Sequence, residues 1–401
     1  MAGALVAVLS ATGTTAGAVT PDVQTAPTTV RFATFNATLS DSTWTPDVFV
    51  DRLSSGDLQR AQDVAEVVQR TRPDVLLLNE FNHVPGGAAA EAFREHYLRR
   101  GQNGAAPIDY PYYYVAAVNT GVASGHDLDN NGTTDTEPDG PFDFDYANDA
   151  FGFGMFPGQY GMVVFSRHPI DNDAVRTFSR FRWQDMPGNL MPDAFYSQAE
   201  QDVLRLSSKS HWDIPVDVGA RDVHLLASHP TPPVFDGPED RNGKRNHDEI
   251  RFWADYVSPG QAGYAYDDNG EYGGLRPGAA FVVSGDQNAD PFDGDATGDP
   301  ADLLLDHPRV NDSVTPESAG GVQDSAADGG VNHQHQGNPA YDTADFGEPP
   351  GNIRADYVLP SKDLRIADAG VFWPLAGSAL DYLNDVSDHH LVWVDVTVPG
   401  A

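Results

Sequence analysis

Cysteine is absent from the 401-residue chain. That excludes disulfides, thiolate metal sites and a cysteine nucleophile, while leaving the compartment open. Lysine is nearly absent too, confined to Lys209, Lys244 and Lys362. In all, 24 basic residues stand against 59 acidic ones, for a formal charge of −35. This balance argues against tight, sequence-independent binding to duplex phosphate. An acidic protein acts on an anionic substrate only where bound cations reverse the local field. A charge of this size also confers solubility in a salty or extracellular setting. Past the opening segment, no stretch nears the ~18 uninterrupted apolar residues that a membrane span requires. With 40% hydrophobic and 21% charged residues the chain reads as globular, not disordered.

The opening segment, Met1 to about Thr20, is small and apolar, with Ala4-Leu5-Val6-Ala7-Val8-Leu9 followed by Ala16-Gly17-Ala18. It has the form of the later part of a secretory signal ending in an A-x-A cleavage site, although no Lys or Arg precedes it. A secreted protein is expected, with one domain over residues 28–400 and acidic insertions near 119–159 and 311–350.

Thr29 to Asn36 alternates and reads as a first strand. Ser55-Gly56-Asp57 reads as the cap of a helix running to about Arg70, with Leu58, Ala61, Val64, Ala65 and Val68 as its apolar stripe. Val75–Leu78 is a buried strand delivering Asn79-Glu80, and a second helix is expected over Ala88–Arg99. Further strands are expected at Pro111–Val118, Tyr160–Ser166, Val223–His229, Ala279–Val283, Ile353–Leu359 and Leu391–Val398. Residues 171–220 read as irregular and aromatic. Asn246-His247-Asp248-Glu249 opens a helix carrying Ile250, Trp253, Ala254 and Val257. Strands and helices mix without strict alternation, which predicts an α/β fold of packed sheets flanked by helices.

One stretch stands out. The apolar run Ala279–Val283 ends in Ser284-Gly285-Asp286-Gln287-Asn288, where glycine permits a close turn and two polar side chains follow at a spacing of two. Other strands also finish on groups suited to metal or phosphate: Asn36, Glu80, His229, Asp356, and Asp388 with His389. Buried carboxylates need partners, so six such endings are a poor way to build a core alone.

In this order the pieces resemble the endonuclease/exonuclease/phosphatase superfamily: Phe35-Asn36, Asn79-Glu80, Tyr160-Gly161-Met162-Val163-Val164-Phe165-Ser166, Ser228-His229, Gly285-Asp286-Gln287-Asn288, Arg354-Ala355-Asp356-Tyr357 and Ser387-Asp388-His389. The resemblance implies two packed, mainly antiparallel β-sheets between helices, the four-layer sandwich of the deoxyribonuclease type. It implies a divalent-metal-dependent phosphoesterase using Mg²⁺ or Mn²⁺. Asn36, Glu80 and Asp388 would serve the metal. Asp286 would orient or deprotonate water, Asn288 and His229 would contact phosphate, and Asp356 would hold His389. Gln287 departs from the usual Phe or Leu, and Asn79 from the usual Gln.

Substrates implied are a small phosphate ester or nucleic acid, without a stable nucleic-acid complex. An extracellular nuclease is one alternative, and a non-catalytic calcium-stabilised binding protein of the same fold is another. Arg241, Lys244, Arg245 and Arg251 form the densest basic stretch, so Arg241 and Arg245, with Tyr160, are candidates for substrate phosphate. A salt-bridge network with Asp240, Asp248 and Glu249 explains that stretch equally well. Asp127-Leu128-Asp129-Asn130-Asn131-Gly132-Thr133-Thr134-Asp135 repeats the opening of a calcium loop, with Asp127, Asp129, Asn131, Thr133 and Asp135 as ligands. Position 12 of that loop is Pro138, so Glu137 or Asp139 is expected to substitute. Asn332-His333-Gln334-His335 is a weak metal candidate, and His390 is expected to point away from His389.

Overall fold

The computed structural model describes residues 1, 3, 28–219, 221–347 and 349–399. Beyond Met1 and Gly3, the expected secretion signal lies outside these residues. In chain order the strands are β1 (Thr28–Leu39), β2 (Val75–Phe81), β3 (Tyr112–Tyr114), β4 (Met162–Ser166), β5 (Arg176–Thr177), β6 (His211–Asp217), β7 (Asp222–Ser228), β8 (Ala280–Asp286), β9 (Ala344–Asp345), β10 (Asn352–Ile353), β11 (Asp356–Pro360), β12 (Arg365–Phe372) and β13 (Leu391–Val398). Six of them form one sheet in the order β12-β13-β1-β2-β4-β3, five form a second in the order β11-β8-β7-β6-β5, and β9 and β10 make a small ribbon.

Side-chain alternation sets the layers. In β2, Leu76 and Leu78 join the core beneath the helices Pro46–Ser55, Gln59–Thr71 and Ala88–Phe93, with Ala61, Val64, Phe49 and Phe93. Val75 and Leu77 point the other way and meet Ile214, Val216, Leu225 and Val282 of the second sheet. Leu226, Phe281 and Val283 face outward again, onto Ile250, Phe252 and Trp253 of the helix Arg241–Val257. The result is helix, sheet, sheet, helix. Strands buried on both faces read as continuous apolar runs, which is why β2 and β8 were legible.

Each sheet is antiparallel except for one central parallel pair, β1 with β2 and β7 with β8. A parallel pair needs a crossover, here the helices after β1 and the helix Arg241–Val257 after β7.

Several boundaries differ from the sequence reading. A helix at Pro46–Ser55 precedes the expected one, and Gly56, in the left-handed region at φ 74°, ends it. Ser55 and Gly56 therefore close one helix instead of capping the next, whose N-cap is Leu58 with no side-chain bond. The irregular stretch 171–220 contains β5 and β6, while the strand expected over Pro111–Val118 shrinks to β3. β12 adds an edge strand the pattern did not suggest. The insertion over 311–350 holds a helix at Ala319–Asp328 and strand β9, so it is not featureless. No helix among the described residues is long and apolar enough to cross a membrane.

Candidate active site

The two parallel pairs point their C-terminal ends to the same end of the sandwich. Asn36 of β1 is in register with Asn79 of β2, so Glu80 follows one residue further on. Ala227 of β7 is level with Ser284 of β8, which carries His229 and Asp286 to the same level. Asp356, the first residue of β11, pairs directly with Asp286. Asp388 and His389 precede β13, which runs beside β1. Gly285 is required here: its φ is +145°, and a Cβ would lie 1.9 Å from the Ser228 carbonyl oxygen. Four non-glycine residues at this end, Thr38, Glu80, Tyr160 and Asn288, hold positive φ values of 45°, 56°, 53° and 51°. Such strain persists only where surrounding structure enforces it.

Asp286 is the hub. Its Oδ2 accepts from Asn36 Nδ2 at 3.0 Å and faces Nε2 of His229 at 3.4 Å and of His389 at 3.5 Å. Oδ1 accepts from the Asn288 backbone N–H at 2.9 Å. The Asn36 amide also reaches Glu80 Oε1 at 3.2 Å. On the far side His389 Nδ1 lies 2.8 Å from Asp356 Oδ2, which also accepts from Thr343 Oγ1 at 2.8 Å. Asn288 turns its side-chain amide to the Pro230 carbonyl at 3.2 Å.

Burial pushes the Asp286 carboxyl up to about 7, with the His389 charge pulling it down and Asp356 pushing it up. Burial alone disfavours protonation of His389, but the carboxylates of Asp356 and Asp286 outweigh it and push the imidazole up to about 10. His229 goes the opposite way: burial, then the charges of Lys209 and His389, hold it well below the usual histidine range. Two histidines flanking one carboxylate thus differ in protonation, one cationic and one neutral. That separation suits acid–base work.

Glu80 forms no ion pair among the described residues; Asn36 is its hydrogen-bond partner, and burial raises its carboxyl. A carboxylate so poorly compensated fits a divalent cation with oxygen ligands. Asn36 lies beside it, and Asp388, exposed at the rim, acts on it through charge. Asp286, Asp356 and His389 also present donor atoms within 4.8 Å of one another. Glu80 and His229 reach a cavity of about 580 Å³ that Tyr160, Lys209, Arg241 and Arg245 also line. Burial, helped by the Glu80 charge, pushes the Tyr160 hydroxyl up to about 12.

A model described as the Endonuclease/Exonuclease/phosphatase family matches residues 50–389. The chain belongs to that family. Solved structures similar to it include an endonuclease/exonuclease/phosphatase from Beutenbergia cavernae, 17% identical with a TM-score of 0.49, covering 93% of this chain and 72% of that one. Sphingomyelinase C from Streptomyces griseocarneus is 15% identical at a TM-score of 0.49, covering 92% and 99%. TDP2 from Caenorhabditis elegans is 14% identical at a TM-score of 0.41, covering 92% and 75%. No curated protein matches the chain.

The two departures from the family pattern are both structural links. Asn79 Oδ1 accepts from Thr34 Oγ1 at 3.1 Å, and its amide reaches the Ser228 carbonyl of the other sheet at 3.4 Å. Gln287 Nε2 donates to Ser228 Oγ at 3.2 Å, the same oxygen that accepts from Trp253 Nε1.

The basic stretch divides. The helix begins at Arg241, not Asn246, so these residues form its first turns. Arg241 pairs with Glu239 at the cavity wall. Arg245 lines the cavity, but its guanidinium donates to the carbonyls of Leu206, Phe151 and Arg205 at 2.8, 2.6 and 2.9 Å. Of the expected network with Asp240, Asp248 and Glu249, Arg251 pairs with Asp248 at 3.9 Å and also with Asp255 at 3.4 Å, while Lys244 donates to the Glu239 carbonyl.

In the acidic loop, Asp127 and Asp129 come within ligating distance of Asp149, not of Asp135. Asp149 ends the short helix Phe144–Asp149, and accepts from the backbone N–H of Leu128 and Asp135 at 2.8 and 2.7 Å. Neither Glu137 nor Asp139 joins that group among the described residues. Asn131 Oδ1 is occupied by the Thr133 backbone N–H at 2.8 Å. His335 bonds to the Pro350 carbonyl, and neither it nor His333 joins a metal-binding group among the described residues. His390 stacks on Trp373, facing away from the site.

Sequence reasoning missed Lys209, Ser208, Thr231, Thr343 and Glu249. One signal was available: Trp212, Ile214 and Val216 alternate and all enter the inter-sheet core, which identifies β6 and places Ser208-Lys209 at its entrance.

Proposed function

We propose that this family member is a divalent-metal-dependent phosphoric-ester hydrolase acting on small phosphate esters. One observation carries the reading: Asp286, pushed up to about 7, is shared by Asn36, a neutral His229 and a cationic His389 beside the uncompensated Glu80. Glu80, with Asn36 and Asp388, would hold Mg²⁺ or Mn²⁺. Bound there, a divalent cation supplies charge neutralisation at the phosphoryl oxygens and lowers the pKa of water. Asp286 orients the attacking water and takes its proton. His389, fixed through Nδ1 by Asp356, presents Nε2 as a positive donor to the phosphoryl group. His229 contacts phosphate as a neutral ring, and the Asn288 backbone locks the Asp286 carboxylate in place. Tyr160 and Arg241 border the substrate space, while Arg245 commits three of its five N–H donors to the wall and keeps those of Nη1.

Hydrolysis of p-nitrophenyl phosphate and bis-p-nitrophenyl phosphate with Mg²⁺, Mn²⁺ or Ca²⁺, and with EDTA, tests the reading. Metal-dependent turnover that D286N abolishes is the expected result. Turnover of neither ester with any ion would sink it, and cleavage of plasmid DNA in preference to both would move the assignment to a nuclease. We read the Asp127–Asp135 loop, with Asp149, as a structural Ca²⁺ site; an upward shift of the melting temperature with Ca²⁺, absent in D149N, is the expected outcome. The extracellular assignment rests on the acidic, cysteine-free composition and the apolar opening segment. Mass spectrometry of the exported protein, for cleavage after Ala18, tests it.

A further inference from the structure

The cavity wall next to His229 gathers donors that nothing in the protein satisfies. Lys209 is only 6% exposed and lines the cavity, and its ammonium makes no hydrogen bond or ion pair among the described residues. Ser208 Oγ and Thr231 Oγ1, buried on the same wall, also have no hydrogen-bond partner. Buried polar groups are normally paired, so a concentration of exceptions in one cavity calls for an explanation. An unpaired ammonium on a nearly buried side chain is the costliest of the three.

The arrangement is held from behind. Glu249 is fully buried and spends its two carboxylate oxygens on the backbone N–H groups of Ser208 at 2.8 Å and Thr231 at 2.6 Å. Those bonds fix the two wall segments relative to each other. They also occupy the acid that could otherwise have paired with Lys209. The plain alternative is that Lys209 only balances the charges of Glu249, Glu80 and Asp286, all of which act on it without contact. That alternative leaves the two hydroxyls unexplained.

We propose that Ser208, Lys209 and Thr231, beside His229, form a cradle for the oxygens of a terminal phosphate, and that the substrate is accordingly a phosphomonoester. The inference rests on the phosphoric-ester reading above and narrows it. A diester offers two non-bridging oxygens and one negative charge. A monoester adds a third oxygen and, with a second pKa near 6, most of a second charge at neutral pH. Receiving it takes one more cation and further donors than a diester needs, which this wall supplies. The remaining lining, including Leu128, Phe144, Phe153, Val234 and Phe235, suits an apolar or aromatic alcohol portion. On hydrolysis the water oxygen bonds to phosphorus and the bond to the alcohol oxygen breaks with its electron pair. The alcohol gains a proton and inorganic phosphate is left in the cradle.

The test combines binding with kinetics. Inorganic phosphate is titrated calorimetrically into the full chain, with Mn²⁺ and after EDTA, for the wild type, K209M, and the double variant S208A/T231V, which keeps the charge. Phosphate affinity should fall about tenfold or more in K209M and about threefold in the double variant. In K209M, kcat/KM should fall at least about tenfold further for p-nitrophenyl phosphate than for bis-p-nitrophenyl phosphate. Equal losses on the two esters, or unchanged phosphate affinity in the variants, would overturn the cradle. Should K209M not fold, the double variant decides by the same criteria. A wild type that binds phosphate yet cleaves neither ester would refute the hydrolase reading and leave the cradle standing. Absence of phosphate binding by the wild type, with turnover intact, would refute the cradle alone.

Discussion

Asn36 and Asp286, 250 residues apart, meet through a 3.0 Å hydrogen bond that joins β1 of one sheet to β8 of the other. The same amide donates to Glu80 at 3.2 Å, so one side chain serves the carboxylate assigned to the metal and the one assigned to water. Truncation to Ala leaves both acids short of a donor. Activity in N36A should drop about 10²–10³-fold, the scale of losing one preorganised donor at a reacting site. Because the Asn36 bond lowers the Asp286 carboxyl, its loss should also move the acid limb of the kcat/KM profile to higher pH. A limb that stays put would show that Asp286 is not the group titrating.

Glu80 is a carboxylate without a cationic partner among the described residues, raised by burial. Without metal it is a liability. E80Q should therefore lose metal-dependent turnover while the EDTA-treated variant melts no lower than EDTA-treated wild type. The stabilisation that Mg²⁺ or Mn²⁺ gives the wild type should disappear as well, since ligand binding to the native state alone raises stability. Melting curves with and without metal for both proteins settle this.

These two residues were readable because each stands near the C-terminal end of an easily seen strand, Asn36 three residues and Glu80 one residue before it stops. Asp286 closes β8 itself, and all three announce themselves as polar side chains late in an apolar run. Lys209 does not. It precedes β6, and Pro215 within β6 argues against a strand. The proline is tolerated because β5, on that side, pairs only with Asp213 and Trp212. The start of the helix at Arg241 was hidden for a different reason. Its first turns carry no apolar stripe, and the packing there is done by buried polar groups such as Asn246, Asp248 and Glu249. Asp149 was beyond any loop motif, since it reaches the acidic loop from a separate helix. Tertiary contacts of this kind leave no local period to read.

Arg245 separates a residue near substrate from one that builds the wall. Its three bonds go to carbonyls of Leu206, Arg205 and Phe151, adding to the stacking of Arg205 over the Phe151 ring. R245A should cost on the order of 3 kcal/mol, since charged donors to backbone acceptors contribute roughly 1.5–3 kcal/mol each and are not fully additive. Denaturant unfolding measures this. At temperatures where the variant is folded, KM should change less than about threefold, because Nε and Nη2 anchor the guanidinium to the wall. A large KM effect with unchanged stability would restore Arg245 as a substrate clamp.

His390 offers a test of the electrostatics away from the chemistry. Its ring stacks on Trp373 at 3.7 Å between centroids, and burial, then the His389 charge, push it down to about 3. Above pH ~6.5 the ring is neutral in both folded and unfolded chains and contributes nothing to pH dependence. Below that, the unfolded chain takes up a proton that the folded one refuses, so stability falls as pH drops from ~6.5 toward 3. Asp286, raised to about 7, works in the opposite direction over much of this range, because there the folded state holds the extra proton. The wild-type curve is thus a sum of opposed slopes, and only a difference isolates one group. H390F keeps an aromatic face on Trp373 but cannot titrate, so its stability should fall less steeply than wild type between pH 6.5 and 4. Parallel curves for the two proteins would mean that His390 is protonated without cost in the folded state. That would contradict its burial against Trp373 beside a cationic His389.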